Sequence, residues 1–259
     1  MKEKHMNAQS DIMSEYLSRV VSHLESIRED QTEPIKKVAN LLAEHIAKNR
    51  LVYIYGPGGH SNLGAMEIFF RAGGLMHISA ILDEGTLLSN GALRSMQIER
   101  TPGYGKIVID DNGIGKGDLL IIVNAYGINT ACIDAALEAK KLGATTVAVT
   151  SAEHAKSTPK DHAARHPSKQ NLFEVCDYYL DCKVQSGDAV CEIDEIPQKM
   201  GAMSTFANAY VLNTLMMYTA AYLGEKGIEV PIWRSGNCPG GDEWNNQFIG
   251  RFKSKVRWL

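Results

Sequence analysis

The sequence predicts an α/β protein built on a doubly wound, mostly parallel sheet with helices on both faces. Three observations predict it. Residues 51–55 (Leu, Val, Tyr, Ile, Tyr) and 119–123 (Leu, Leu, Ile, Ile, Val) are apolar runs of strand length. Each passes at once into a polar or glycine-bearing turn and then into a helical apolar period. Residues 145–150 are a further strand, closing a strand–helix–strand succession that implies a right-handed crossover between parallel strands.

Two helices are expected before the first strand. Ile12, Tyr16, Leu17, Val20, Val21 and Leu24 share one face of residues 9–28. Ile35, Val38, Leu41, Leu42, His45 and Ile46 share one face of residues 33–48, and Pro34 stands near the start, where its missing N–H costs little. This pair either caps the sheet or packs against a partner subunit.

Residues 51–62 organise the chain. The first strand runs into Gly56-Pro57-Gly58-Gly59, and a helix begins near Ser61 with Leu63, Met66, Ile68, Phe69 and Phe70 as its apolar stripe. Glycine lets the backbone approach a ligand closely. The free N–H groups of a first helical turn point at anions. The loop lacks the Lys-Ser/Thr ending of a nucleotide P-loop and is not G-x-G-x-x-G. The plain alternative is a tight turn with no ligand.

Arg71-Ala72-Gly73-Gly74 stops that helix, and residues 77–82 read as a second strand. It ends at Asp83 and Glu84, on the edge where open parallel sheets bind ligands. Residues 86–106 fit no single period: Leu87, Leu88, Leu93 and Met96 favour helix, and residues 101–105 break it. Residues 107–109 read as a short strand. Residues 124–130 form a second strand-to-helix loop, followed by a helix to about Leu142. The segment 152–171 is polar, rich in lysine and histidine, with room for one or two helical turns. Residues 178–182 read as strand, 189–193 as extended, and 203–223 as a long helix with little charge, buried or at a subunit interface. The tail, 231–259, reads as a loop over 236–243 and a short helix over 248–252.

The 259 residues suit one domain, divided into an N-terminal helical pair (1–50), an α/β core (51–200) and a C-terminal helix and tail (201–259). A net charge of −3 gives no footprint for nucleic acid or membrane. The polar N-terminus has no signal-peptide core, so a cytoplasmic protein is expected. Cys132, Cys176, Cys182, Cys191 and Cys238 are odd in number and lack C-x-x-C spacing, which favours free thiols. A zinc site on Cys176, Cys182 and Cys191 matches no common finger spacing. Neither metal nor cofactor is expected.

The order of elements resembles the sugar isomerase (SIS) domain, and most closely a group of single-domain bacterial SIS proteins described as phosphosugar or phosphoheptose isomerases. The residues that carry the resemblance are Gly59-His60-Ser61, residues 67–75 (Glu-Ile-Phe-Phe-Arg-Ala-Gly-Gly-Leu), residues 81–85, residues 90–93, Glu99-Arg100, Gly187-Asp188-Ala189-Val190 and Gly240-Gly241-Asp242-Glu243. The likeness spans nearly the whole chain. It implies an aldose–ketose isomerase acting on an anionic sugar, or alternatively a non-catalytic sugar-phosphate sensor. It also implies a homodimer or a homotetramer.

In SIS proteins the two strand-to-helix loops hold the substrate's phosphate. Here the first loop, with Gly58, Gly59, Ser61 and Asn62, keeps the serine and gains a residue (Gly58 or Gly59), but the family's Ser-x-Ser-Gly becomes Asn124-Ala125-Tyr126-Gly127. Two hydroxyl donors are lost, each on the order of 1.5–3 kcal/mol toward a dianion. Asn124, Asn129 and Thr130 remain. Two outcomes stay open: a loop that binds phosphate through backbone N–H groups, or a preference for another anion such as the sulfonate of sulfoquinovose.

Isomerisation through a cis-enediol needs a base at the substrate carbon and a group handling protons at the oxygens. The resemblance places the base at Glu67, with His60 and a histidine of the polar segment, His162, as further catalytic candidates. His154 and His166 share that segment. Glu84 and Glu99 are candidates for sugar hydroxyls, Arg71 for an anion, and Asp242 and Glu243 for the substrate. Trp244, which stands where relatives often carry histidine, is a candidate for stacking on a sugar face. Residues 1–50 are not basic, which disfavours a DNA-binding regulator.

Overall fold

The computed structural model describes residues 6–259. Its first element is α1 (Ile12–Ile46), a single 35-residue helix started by Asp11, whose carboxylate accepts the Ser14 N–H. The expected pair of N-terminal helices is thus one helix that runs straight through Pro34. A proline inside a helix removes one hydrogen bond at a cost of about 3 kcal/mol. Ile27, Ile35, Val38, Ala39, Leu42, Ala43 and Ile46, on both sides of the proline, are all buried in one cluster, and that continuous packing holds the helix together.

Next come β1 (Val52–Tyr55), α2 (Gly59–Glu67) and β2 (Ile78–Ile81). A 3₁₀ turn (Leu88–Asn90) leads into α3 (Ala92–Glu99) and α4 (Tyr104–Asp111). Residues 107–109 are therefore helical and not a strand. Gly103, at φ +85°, starts α4, and Val108 and Ile109 bury their side chains against α5 at helical spacing. Then follow β3 (Leu119–Val123), α5 (Thr130–Lys141), β4 (Thr145–Thr150), α6 (Ala152–Ser157), α7 (Leu172–Val175) and β5 (Tyr178–Asp181). The chain ends with β6 (Ala189–Cys191), β7 (Met200–Ala202), α8 (Ser204–Glu225) and α9 (Gly241–Phe252). The tail helix begins seven residues earlier than its apolar period alone suggests, at the left-handed Gly240.

The five main strands are all parallel, in the order β2-β1-β3-β4-β5. β6 and β7 form a separate antiparallel pair. One face of the sheet is covered by α1, α2 and α8, packed on Val52, Ile54, Leu119, Ile121 and Val123. The other is covered by α4, α5 and α7, packed on Tyr55, Leu120 and Ile122. Strands buried on both faces explain why the sequence shows continuous apolar runs.

The apolar stripe expected from Leu63 to Phe70 is split, with Ile68 in the core and Phe69 packed against it. Leu63, Met66 and Phe70 are exposed, and they border an open groove of about 470 Å³ shared with Leu82, Thr205 and Ala209. Ile12, Leu17 and Val21 on α1 are exposed as well.

Candidate active site

The strand order reverses between β1 and β3. The loops that leave these two strands must diverge, and a crevice opens at their carboxyl ends. The first loop, 56–60, and the second, 124–130, are the two picked out in the sequence.

Gly58 sits at φ +81° ahead of α2, and its Asn62-facing carbonyl accepts the Asn62 N–H at 2.9 Å. It must be glycine for a second reason. A Cβ there would lie 1.8 Å from Glu99 Oε2, so the Glu99 carboxyl rests directly on the loop backbone. Asn129, ahead of α5, donates Nδ2–H to Glu99 Oε1 at 3.4 Å. Glu99 thus bridges both loops at the start of α5. Burial pushes its pKa from 4.5 up to about 7, against a smaller downward pull from Arg100. Of the carboxylates named from the sequence, this one is poised to gain and lose a proton near neutral pH.

His60 reaches across to the second loop, where its Nε2 accepts the Ala125 N–H at 3.0 Å. Its ring lies 4.7 Å from that of Tyr126, which stacks at 4.4 Å and 30° on His154. Burial pushes the Tyr126 phenol up to about 12, and the charges of Asp188 and Glu99 add to this. His154 is lowered mainly by burial. Asp188 stands at the start of α8, accepting the Met203 and Ser204 N–H groups at 2.9 and 2.7 Å and the Ser204 hydroxyl at 2.6 Å. Its charge therefore serves as a helix cap and also bears on the ring stack.

Asn124 turns its Oδ1 back on its own loop, accepting the N–H groups of Tyr126 (3.2 Å) and Gly127 (2.8 Å). Gly127, at φ +62°, packs on the Thr150 hydroxyl. Gly59, Ser61 and Thr130 belong to the first turns of α2 and α5. Asn62 donates Nδ2–H to the Gly56 carbonyl. The Ser61 hydroxyl is fully buried, with no partner among the described residues.

Other candidates lie apart from this crevice. Glu67 is seven residues beyond His60, about 10 Å along the helix axis. It faces the open groove, 3.7 Å from the Arg71 guanidinium and 3.4 Å from Asn213 Nδ2. Glu84 is exposed, and its backbone carbonyl accepts Asn90 Nδ2–H. His162 is exposed, with Nδ1 accepting the Ala164 N–H. His166 is bound to Asp134 at 3.0 Å, so the histidine that the polar segment delivers to the crevice is His154. Asp242 and Glu243 form the first turn of α9. That helix packs through Phe248 and Phe252 on Leu51 and Met76, which precede β1 and β2, so its core lies at the opposite edge of the sheet. Trp244 donates its indole N–H to the Ile232 carbonyl and sits against Arg234.

The five cysteines are free thiols. Among the described residues, no three His, Cys, Asp or Glu side chains form a group fit to hold a metal ion.

The SIS domain family model matches residues 15–151. A UPF0309 protein of Geobacillus kaustophilus is 33% identical over 245 residues, covering 95% of this chain and 96% of its own. One from Caldanaerobacter subterraneus is 34% identical over 247 residues, covering 94% and 98%. The chain is a SIS-domain protein of the UPF0309 family. A phosphoheptose isomerase from Francisella tularensis shares the fold, with a TM-score of 0.51 over 82% of this chain and 97% of that one, at 14% identity. In this SIS protein the crevice lies between the loops that leave β1 and β3. The side chains that fill it are Glu99, His60, Tyr126 and His154.

Two residues at or beside the crevice, Glu99 and Asp188, were underweighted by sequence reasoning. Glu99 reads as one of several carboxylates because α3 follows no clear period, and nothing local shows that its end meets Gly58. The signal available was Glu99-Arg100 just before a helix-breaking Thr101-Pro102-Gly103. Asp188 carried a weak signal in Gly187-Asp188, a turn pair ahead of a serine-led helix.

Proposed function

We propose that this protein is an aldose–ketose isomerase that acts on an anionic sugar in the crevice between the two loops, with Glu99 moving the proton between neighbouring carbons. The observation that carries the reading is the half-buried Glu99 carboxyl, pressed on Gly58, bonded to Asn129 and with its pKa pushed up to about 7. A general base works best with a pKa near the working pH.

Ionised Glu99 takes the proton from the carbon beside the carbonyl. A cis-enediol forms, and the same carboxyl returns the proton to the other carbon. The N–H groups at the start of α5, beside Asn129, favour negative charge on the substrate oxygen as it develops. Glu67 is the second candidate for the base, on its place in the family pattern. Its ion pair with Arg71 and its open surroundings fit a role in substrate or subunit contacts better.

The anion is the finer question. The crevice holds two carboxylates, Glu99 and Asp188, and bulky Tyr126 stands in place of a small hydroxyl donor. A monoanionic sulfonate meets less repulsion there than a phosphate dianion, which favours a sulfosugar such as sulfoquinovose. The exposed apolar faces of α1 and α2 fit burial in a homodimer or a homotetramer.

The test is proton NMR in D2O with glucose 6-phosphate, sedoheptulose 7-phosphate, sulfoquinovose and unmodified hexoses. Deuterium entering C2 of one anionic sugar supports the reading, and the active sugar names the anion. Tight binding with no exchange in any of them favours the sensor role.

A further inference from the structure

We propose that His60 serves as a neutral hydrogen-bond donor, through Nδ1–H, to the carbonyl oxygen of the open-chain sugar, a role that rests on the isomerase reading above. The geometry fixes which nitrogen holds the proton. Nε2 accepts the Ala125 backbone N–H at 3.0 Å, and an accepting ring nitrogen carries no proton. The neutral ring therefore holds its proton on Nδ1. A proton on Nε2 would face the Ala125 N–H and leave both donors without an acceptor.

Nδ1 has no hydrogen-bond partner among the described residues, and the side chain is only partly buried. The ring lies between the two loops of the crevice. The ring cannot swing freely, because Tyr126 lies 4.7 Å away and is itself backed by His154. The charged and titratable groups facing it are Asp188 at the start of α8, His154 on α6, and Tyr126 on the second loop, with Glu99 across Gly58. Burial dominates, aided by His154 and opposed by Asp188, and holds the imidazole down to about 4. His60 stays neutral over the whole range in which Glu99 changes charge.

A neutral, fixed N–H suits one task. As Glu99 removes the carbon-bound proton, the C–H electron pair becomes the C=C bond, and the carbonyl pair moves onto oxygen. A preorganised donor stabilises that oxygen without giving up its proton. The hydroxyl proton of the cis neighbour then crosses to this oxygen, the Glu99 acid returns its proton to the other carbon, and the imidazole ends as it began. A histidine that shuttles protons would need a pKa near the working pH instead.

The test uses protein with 15N-labelled histidine rings, as wild type and His60→Gln, with the His60 signals found by difference. Long-range proton–nitrogen spectra from about pH 5 to about pH 8 should show a bare Nε2, a protonated Nδ1 and no titration. His60→Gln, which keeps an N–H donor, should hold kcat within about tenfold, and His60→Ala should lose about 10²–10³-fold. The pH profiles of wild type and His60→Gln should have the same limbs. A proton on Nε2, a titrating His60, or a limb that vanishes in His60→Gln overturns the donor role alone. Deuterium uptake by no sugar, with the tautomer as described, overturns the isomerase reading and the donor role with it.

Discussion

Replacing Glu99 by glutamine should stabilise the fold while removing the chemistry. The structure supplies the magnitude. Burial raises the folded-state pKa from 4.5 to about 7. A carboxyl whose pKa is raised on folding stabilises fully below its unfolded value, and that stability is lost as pH rises toward the folded value. The gap corresponds to about 3 kcal/mol, nearly all of it lost by pH 7. Glutamine keeps the shape and still accepts from Asn129, but it never charges. Relative to wild type, Glu99→Gln should therefore be near neutral at about pH 4.5 and about 2–3 kcal/mol more stable at about pH 8. For a chain of this length that is a rise in Tm of about 5 °C at the higher pH. Thermal unfolding of both proteins at the two pH values is the assay. Equal melting temperatures at pH 8 would refute the claim that this carboxyl is desolvated, and the argument from its pKa would fall.

Three further outcomes are expected. Gly58→Ala places a Cβ in a left-handed residue, 1.8 Å from Glu99 Oε2, so it should cost about 1–2 kcal/mol in a denaturant titration and lower kcat by about 10²-fold. His77 is fully buried beside Phe252 and Arg251, and burial lowers its pKa to about 4. A depressed histidine stabilises above its unfolded value, so up to about 3 kcal/mol should be lost between about pH 6.5 and about pH 4, a slope that His77→Gln flattens. Tyr126→Ser clears the second loop and restores a hydroxyl, and calorimetry should show at least about tenfold tighter binding of a sugar phosphate, with no gain for its sulfonate counterpart.

Most of the fold was legible because burial on both faces leaves a local signature. Residues 51–55 and 119–123 are apolar runs of strand length, and the two loops of the crevice follow them directly. The helix at 204–225 was visible from its scarcity of charge. The misreadings share one cause, in that local pattern yielded to tertiary packing. Pro34 looked like a helix start, but core contacts on both sides carry α1 through it. Residues 107–109 are β-branched and read as strand, yet Gly103 starts a helix that lays them on α5. Leu63, Met66 and Phe70 read as one stripe with Ile68 and Phe69, yet they line a surface groove while Ile68 is buried.

The candidate site was half legible. Glycines 58 and 59, His60 and the 124–130 loop were marked by spacing alone. The place of Glu99 was not, because its contact with Gly58 joins residues 41 positions apart and only the folded chain brings them together. The same holds for the choice among histidines. Nothing in residues 152–171 distinguishes His154 from His162, yet one stacks on Tyr126 and the other faces solvent.

The measurement that bears most directly on the central claim is the rate of deuterium exchange at C2 in wild type, Glu99→Gln and Glu67→Gln across about pH 5 to about pH 9, with the sugar that proves active. The account predicts that wild-type exchange rises through a pKa near 7, that Glu99→Gln lowers it by at least about 10³-fold, and that Glu67→Gln keeps the same profile within about tenfold. Abolition by Glu67→Gln with Glu99→Gln still active would contradict it and move the chemistry to the groove beside α2.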